Sequence, residues 1–247
     1  MTELNNLPEV KTKPAFGYDE TDVETKTFTG GKPYVNDSFT YPVDKDNNPL
    51  RFFCQLDLSE VDERVKKYLN LPDSGFLQFY HGDEDVFGMD FDNKDFSENV
   101  SRILYLEEAF DDESLELPDY GEFMEDSSPL EDGGTERTYY AGKYVDLLPF
   151  PNSNDNPSIT EEDQYGEAYT EYYDFVNETN YELYLGGYPH FTQWDFRDDD
   201  NELVLLLGSE SGDNVLWGDM GAGGFWVPEQ DLKKQDYSNS VIYWDCL

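Results

Sequence analysis

Few side chains in this 247-residue sequence could do redox, nucleophilic or soft-metal chemistry. There are two histidines, His81 and His190, and two cysteines, Cys54 and Cys246. A metal centre would need both histidines to converge with carboxylates or thiols. Each histidine instead sits beside aromatic residues just after an expected strand or turn, and reads as a packed or surface side chain. Cys54 lies in the apolar run FFCQL and reads as a small buried hydrophobe rather than a nucleophile. Cys246, next to the end of the chain, has a place compatible with exposure. Nothing local pairs a cysteine with a histidine for catalysis, and two cysteines cannot build a disulfide scaffold.

Oxygen ligands are abundant. Asp83, Asp85, Asp90 and Asp92 lie together in HGDEDVFGMDFDN and form a weak calcium candidate. Their spacing is not that of an EF-hand. Asp195 with Asp198 to Asp200 reads as a solvated hairpin turn. Among 56 acidic residues, paired carboxylates alone do not mark a glycosidase. Gly218 to Gly224 lacks the lysine of a phosphate-binding loop. Gln55, Gln78, Gln193, Trp217 and Asp219 could line a groove for a small ligand or glycan. The competing reading of the tryptophans is core packing, because Trp217, Trp226 and Trp244 fall in expected strands. No cofactor is implied.

The charge sum is −40. Such a surface repels phosphate backbones and anionic membranes, so neither nucleic acid nor membrane is an expected partner. Low apolar content with high charge is a mark of disorder, but Phe, Tyr and Trp make up 16% of the chain. Each buries roughly 150–250 Å², which is enough to build a folded core under an acidic shell. Three causes of that shell remain open: adaptation to salt, solubility, and a basic protein partner steered in by charge. The third gives the acidic stretch a role, with Asp111, Asp112, Glu113, Glu116, Glu122, Glu125 and Asp126 as the contact. No apolar run reaches the roughly 18–20 residues of a membrane helix, and MTELNNLPEVKTK lacks the pattern of a signal peptide.

The elements that must position these residues follow from periodicity and turn chemistry. Residues 1–29 are polar and read as a lead-in. Gly30-Gly31-Lys32-Pro33 is a turn signal. Strands are expected at Arg51–Leu56, Phe76–Tyr80, Arg102–Leu106, Leu203–Leu207, Val215–Asp219, Gly224–Val227 and Val241–Trp244. A helix is expected from Ser59, with Asp62 in a capping-box-like place. A second should follow Thr160, carrying a stripe of Tyr165, Ala168, Tyr169, Tyr172, Tyr173 and Val176. Residues 109–157 form an acidic insertion between a first half at 30–108 and a second at 158–247. Glycine turns and strands recur in the same order in both halves, Gly30-Gly31 answering to Gly186-Gly187. The expected fold is α+β: mainly antiparallel sheets with a few helices, an internal duplication, and one domain over 30–247.

Several stretches carry a family resemblance: GGKPY, FFCQLDLSEV, DSGFLQFYHGDEDVFGMD, RILYLEE, LGGYPHFTQWDFR and VLWGDMGAGGFWVPEQDLKKQDYSNSVIYWDC. Over roughly 30–108 and 183–247 the chain resembles the YwqG-like family of bacterial proteins, whose function is uncharacterised. The resemblance implies a cytoplasmic α+β protein and a companion role to secreted toxin systems, and it supplies no catalytic set. The sequence departs from the family pattern at Gly208, where a glutamine would mirror Gln55. The leading expectation is therefore a non-enzymatic interaction protein, in its sharpest form a neutraliser of a basic toxin. The alternatives are a small-ligand or glycan-binding module, a hydrolase using Cys54, His81 or His190, and a fold whose acidity only reflects salt.

Overall fold

A computed structural model describes residues 13–90, 98–118, 128–130, 134–147, 183–187, 189, 191–193, 196–197, 203–212 and 214–246. Among these residues ten strands run in one antiparallel sheet: β1 (Lys13–Thr21), β2 (Thr27–Thr29), β3 (Arg51–Asp57), β4 (Phe76–His81), β5 (Ser101–Leu106), β6 (Arg137–Leu147), β7 (Leu183–Gly186), β8 (Leu203–Glu210), β9 (Ala222–Pro228) and β10 (Val241–Asp245). Their order is β10-β9-β8-β7-β1-β6-β2-β3-β4-β5. Two four-stranded meanders, β2 to β5 and β7 to β10, thus flank a central β1–β6 pair. β1 bonds to the later meander and β6 to the earlier one. Part of the expected lead-in is therefore the strand that joins the two halves.

The fold class departs from the expected α+β. Among the described residues strands take up 40% and helix 9%, and the sheet is a nearly closed barrel, so the structure is mainly β. The helical signal from Ser59 was split by its own polar residues. Asp57 accepts from the Ser59 N–H and closes a 3-10 turn at Leu58–Glu60. Val61 is extended, and Asp62 then caps α1 (Glu63–Leu69) by accepting from the Arg64 N–H. α2 (Glu229–Leu232) is a single turn. The tyrosine-striped helix after Thr160 lies outside the described residues. Val215–Asp219 is not a strand: Val215 makes an isolated bridge to Leu130.

Strand alternation sorts the side chains into an inside and two outsides. Leu77, Phe79, Phe225, Val227 and Ile242 point inward and join Phe53, Trp217 and the α1 residues Val65 and Leu69 in one core. On the outer face of the earlier meander, Phe28, Phe52 and Tyr80 are covered by Tyr34 and Tyr41. On the outer face of the later one, Tyr184, Leu205, Trp226 and Tyr243 are covered by Phe191 and Phe196. Bulges at Phe52/Cys54 in β3 and Leu205/Leu207 in β8 occupy matching places and add the local twist that curls a sheet.

The two ends of the sheet, β5 and β10, meet without a backbone ladder. The Asn99 amide bonds to the Ile242 backbone, and the Ser101 hydroxyl donates to the Ser240 carbonyl at 2.9 Å. Side chains close the barrel.

Candidate functional site

The residues expected to line one groove fall in separate places. Gln55 on β3 and Gln78 on β4 are fully buried and directly bonded, with Gln78 Nε2 donating to Gln55 Oε1 at 2.9 Å. Gln55 Oε1 also accepts from the Tyr34 N–H at 3.1 Å, and its Nε2 donates to the Lys26 carbonyl at 3.0 Å. Gln78 Nε2 donates to the Tyr34 carbonyl, and its Oε1 accepts from the Tyr80 hydroxyl. Both amides are spent on the chain that crosses this face. Trp217 is fully buried in the core, its indole N–H donating to Ser209 Oγ at 2.7 Å. Gln193 donates from its side chain to the Cys246 carbonyl, and Asp219 is exposed elsewhere.

The calcium candidate is likewise dispersed. Asp83 pairs with Arg51, Asp85 is exposed, and Asp90 accepts from the Glu98 N–H. Asp92 lies outside the described residues, as do His190, Trp194 and Asp195. Among the described residues no group of three or more His, Cys, Asp or Glu side chains is placed to hold a metal ion.

His81 is fully buried between Phe53 and Phe87. Its Nδ1 lies 2.8 Å from the Gly82 carbonyl and its Nε2 3.4 Å from Ser128 Oγ. Burial pulls its pKa down to about 4, which keeps the ring neutral. Ser128 is itself buried and accepts from the Leu130 N–H. His81 is wholly shielded from solvent and Ser128 nearly so. Burial also pushes the Cys54 thiol well up, so it is not a thiolate nucleophile at neutral pH.

The acidic stretch is different, because its described part is anchored and charged. Val35 and Phe110 exchange backbone hydrogen bonds of 3.0 and 2.9 Å. Asp112 closes the next turn by accepting from the Ser114 N–H and hydroxyl, which lowers its pKa. Lys32 reaches across to donate to the Leu115 carbonyl at 2.8 Å. This leaves Phe110 52% exposed, with Asp111 and Glu113 exposed beside it. Glu122, Glu125 and Asp126 lie outside the described residues.

Two acids that the sequence did not single out complete this rim. Glu24 follows β1, and Glu136 precedes β6. Gly30 and Gly31 hold positive φ of 63° and 65°, and a Cβ on Gly30 would stand 2.4 Å from the Gly134 carbonyl. That close approach, open only to glycine, brings 134–136 against the 30–34 turn. Burial, then Asp111 and Glu24, raise the pKa of Glu136. Burial, then Asp111, Glu136 and Glu24, raise that of Tyr34. Asp111, Glu136 and Glu24, with the buried Asp57 after them, thus all act electrostatically on one phenol. Lys26 stands 5.9 Å over the Phe76 ring, and Lys32 bonds to carbonyls. Glu24 carried no signal in sequence, sitting in a polar stretch; Glu136 was hidden among the other acids.

A family model matches residues 27–246, nearly the whole of this architecture. The chain belongs to the family described as Domain of unknown function (DUF1963). A search of curated proteins finds no match. The DUF1963 match takes in both meanders, β6, the glutamine pair and most of the acidic rim, Glu24 excepted. β1, which joins the meanders, precedes it. No helix among the described residues is long and apolar enough to cross a membrane.

Proposed function

We propose that this DUF1963 protein is a non-enzymatic binding protein whose acidic rim receives a basic protein. The observation that supports this is the exposed, backbone-anchored Phe110 flanked by exposed Asp111 and Glu113, with Glu24, Asp111 and Glu136 acting electrostatically on the neighbouring Tyr34. Like charges held together cost stability in the free protein. A guanidinium or ammonium from a partner would relieve that repulsion, and Phe110 would supply the aromatic anchor typical of a binding hot spot. The overall charge of −40 adds long-range steering. Neutralisation of a cationic toxin in a bacterial cytoplasm, as the YwqG-like resemblance implies, is the sharpest form of this reading.

The test is salt-dependent affinity capture with the protein and two variants. One variant carries Glu24→Gln, Asp111→Asn and Glu136→Gln. The control carries the same loss of charge elsewhere, at Asp73, Asp85 and Asp219. The expected result is a basic protein retained by the wild type and the control and lost from the rim variant. Equal retention by both variants would leave only general acidity, as salt adaptation predicts, and would sink the rim as the site.

A further inference from the structure

Two loops of the earlier meander, one leading into β3 and one following β4, leave a cavity between them. It holds about 370 Å³, within the range of small-molecule sites. Pro49, Leu50 and Val100 supply its apolar lining, and Asp44, Asp83 and Glu84 supply three carboxylates. None of these residues belongs to the acidic rim. Backbone bonds fix both loops. In the first, Asp44 Oδ1 accepts from the Asp46 and Asn48 N–H groups at 2.8 Å, and Oδ2 accepts from Asn48 Nδ2 at 2.8 Å. In the second, Glu84 Oε2 accepts from the Val86 N–H at 3.1 Å and Oε1 from the Gly88 N–H. Gly88 is required there, because its φ is 85° and a Cβ would stand 2.1 Å from the Val100 carbonyl.

The three carboxylates differ in what they have left to give. Asp44 is engaged by its own turn. Asp83 gives Oδ1 to Arg51 Nε, which leaves Oδ2. Each Glu84 oxygen takes one backbone N–H, and a carboxylate oxygen has a second lone pair to offer. Burial raises the pKa of Glu84, and the neighbouring Asp85 and Asp83 add to the rise. The two cations beside the cavity are committed elsewhere, Lys45 to Glu98 and Arg51 to Asp83. Two adjacent acceptors that repel each other thus face a volume of ligand size with apolar walls.

We propose that this cavity binds an alkylguanidinium group, which bridges Asp83 Oδ2 and the Glu84 carboxylate while its alkyl stem lies on Pro49, Leu50 and Val100. The chemistry of the walls selects that class. The carboxylates are not gathered as metal ligands are, since no such group of three or more occurs among the described residues. An ammonium is compact and strongly hydrated, and gains little from apolar walls. A guanidinium is planar, weakly hydrated and forked towards two acceptors at once, and its stem packs on apolar side chains. Arg51 already places one guanidinium nitrogen on Asp83 in this fold. The net charge of −40 draws cations to the site and turns anions away. The proposal stands independently of the acidic rim.

The test follows the Val86 and Gly88 backbone N–H signals, the two bonded to Glu84, by NMR of the whole protein. The probes are butylguanidinium and N-acetylarginine methylamide. The controls are N-acetylcitrulline methylamide, which keeps the shape without the charge, and N-acetyllysine methylamide, which keeps the charge without the fork. The expected result is a saturable shift of both signals, with the arginine derivative bound about tenfold or more tighter than the citrulline one and more tightly than the lysine one. Butylguanidinium bound more tightly than the arginine derivative would assign the site to a free small molecule, and the reverse order to a protein side chain. Glu84→Gln should weaken binding about tenfold. Val100→Phe should weaken it as much with every carboxylate in place, because the larger ring takes up the cavity. No saturable shift, arginine and lysine derivatives bound alike, or unchanged binding in Val100→Phe would each overturn the proposal. Because the probes are isolated small molecules, such a failure is distinct from failure of the rim to capture a basic protein.

Discussion

Asn99 bonds to Ile242 with both ends of its side-chain amide. Nδ2 donates to the Ile242 carbonyl at 2.7 Å, and Oδ1 accepts from the Ile242 N–H at 3.0 Å. A side chain thereby does for β10 what a neighbouring strand would do. The next amide along, that of Trp244, is directed at the Met89 sulfur at 3.3 Å. An edge that would otherwise invite another chain is covered in this way.

Asn99→Ala removes both bonds and leaves two backbone groups of the last strand unpaired. The cost should be about 2 kcal/mol, from a net loss of about 1 kcal/mol per bond. Hydrogen exchange at the Ile242 amide should accelerate with it. Unchanged protection of that amide would mean that packing alone holds the seam.

The buried glutamines predict a loss of stability with no loss of binding. Gln78→Leu strips the acceptor from Tyr80 and the donors from Gln55 and the Tyr34 carbonyl. About 3 kcal/mol should be lost, and the Gln55→Ala, Gln78→Leu pair should cost less than the sum, because the two share a bond. Urea midpoints for the four combinations would check it. Strict additivity would contradict the shared network.

His81 sets an acid limb. Its pKa falls from the ordinary 6.5 to about 4 on folding, so the unfolded chain takes up the proton first. The stability it contributes is complete above the unfolded value and is lost as pH falls from about 6.5 towards 4. At about 1.4 kcal/mol per pH unit, the span amounts to roughly 3 kcal/mol. His81→Phe should flatten that part of the curve, whatever it costs at neutral pH. An acid limb equally steep in the variant would show that carboxylates govern it.

Strands were legible where apolar alternation met a glycine turn: Phe76–His81 and Val241–Asp245 are nearly as expected. The α+β expectation failed because Asp57 and Asp62, two caps five residues apart, cut one helical pattern into a 3-10 turn and a short helix. β1 was missed because KPAFGYDET has too few apolar residues to mark a strand, although Phe16 and Tyr18 are almost fully buried. Trp217 could be read as groove or core by type, and its burial with a bond to Ser209 on β8 decides for the core. The rim was half legible. Asp111 and Glu113 stood out in a charge run, whereas Glu24 comes to act on Glu136 only after β1 and β6 have paired.

The rim makes opposed predictions for stability and binding, and Glu136 shows both. Its pKa is raised by burial first and by Asp111 and Glu24 after it. A raised folded value means that the native state holds the proton more firmly than the unfolded chain. The stability this gives is complete below the ordinary value of 4.5 and is lost as pH rises through the folded value. At neutral pH the ionised group is therefore a liability, and Glu136→Gln should be more stable than the wild type. The gap should close below about pH 4 and shrink in about 1 M salt, where screening acts over about 3 Å. The same substitution should weaken capture of a basic partner, because the carboxylate that destabilises the free protein is one that the partner neutralises. Urea midpoints at neutral and acid pH, with and without salt, measure the first effect, and capture measures the second. A variant less stable than the wild type at neutral pH would mean that Glu136 is held by favourable contacts and has no repulsion for a partner to relieve.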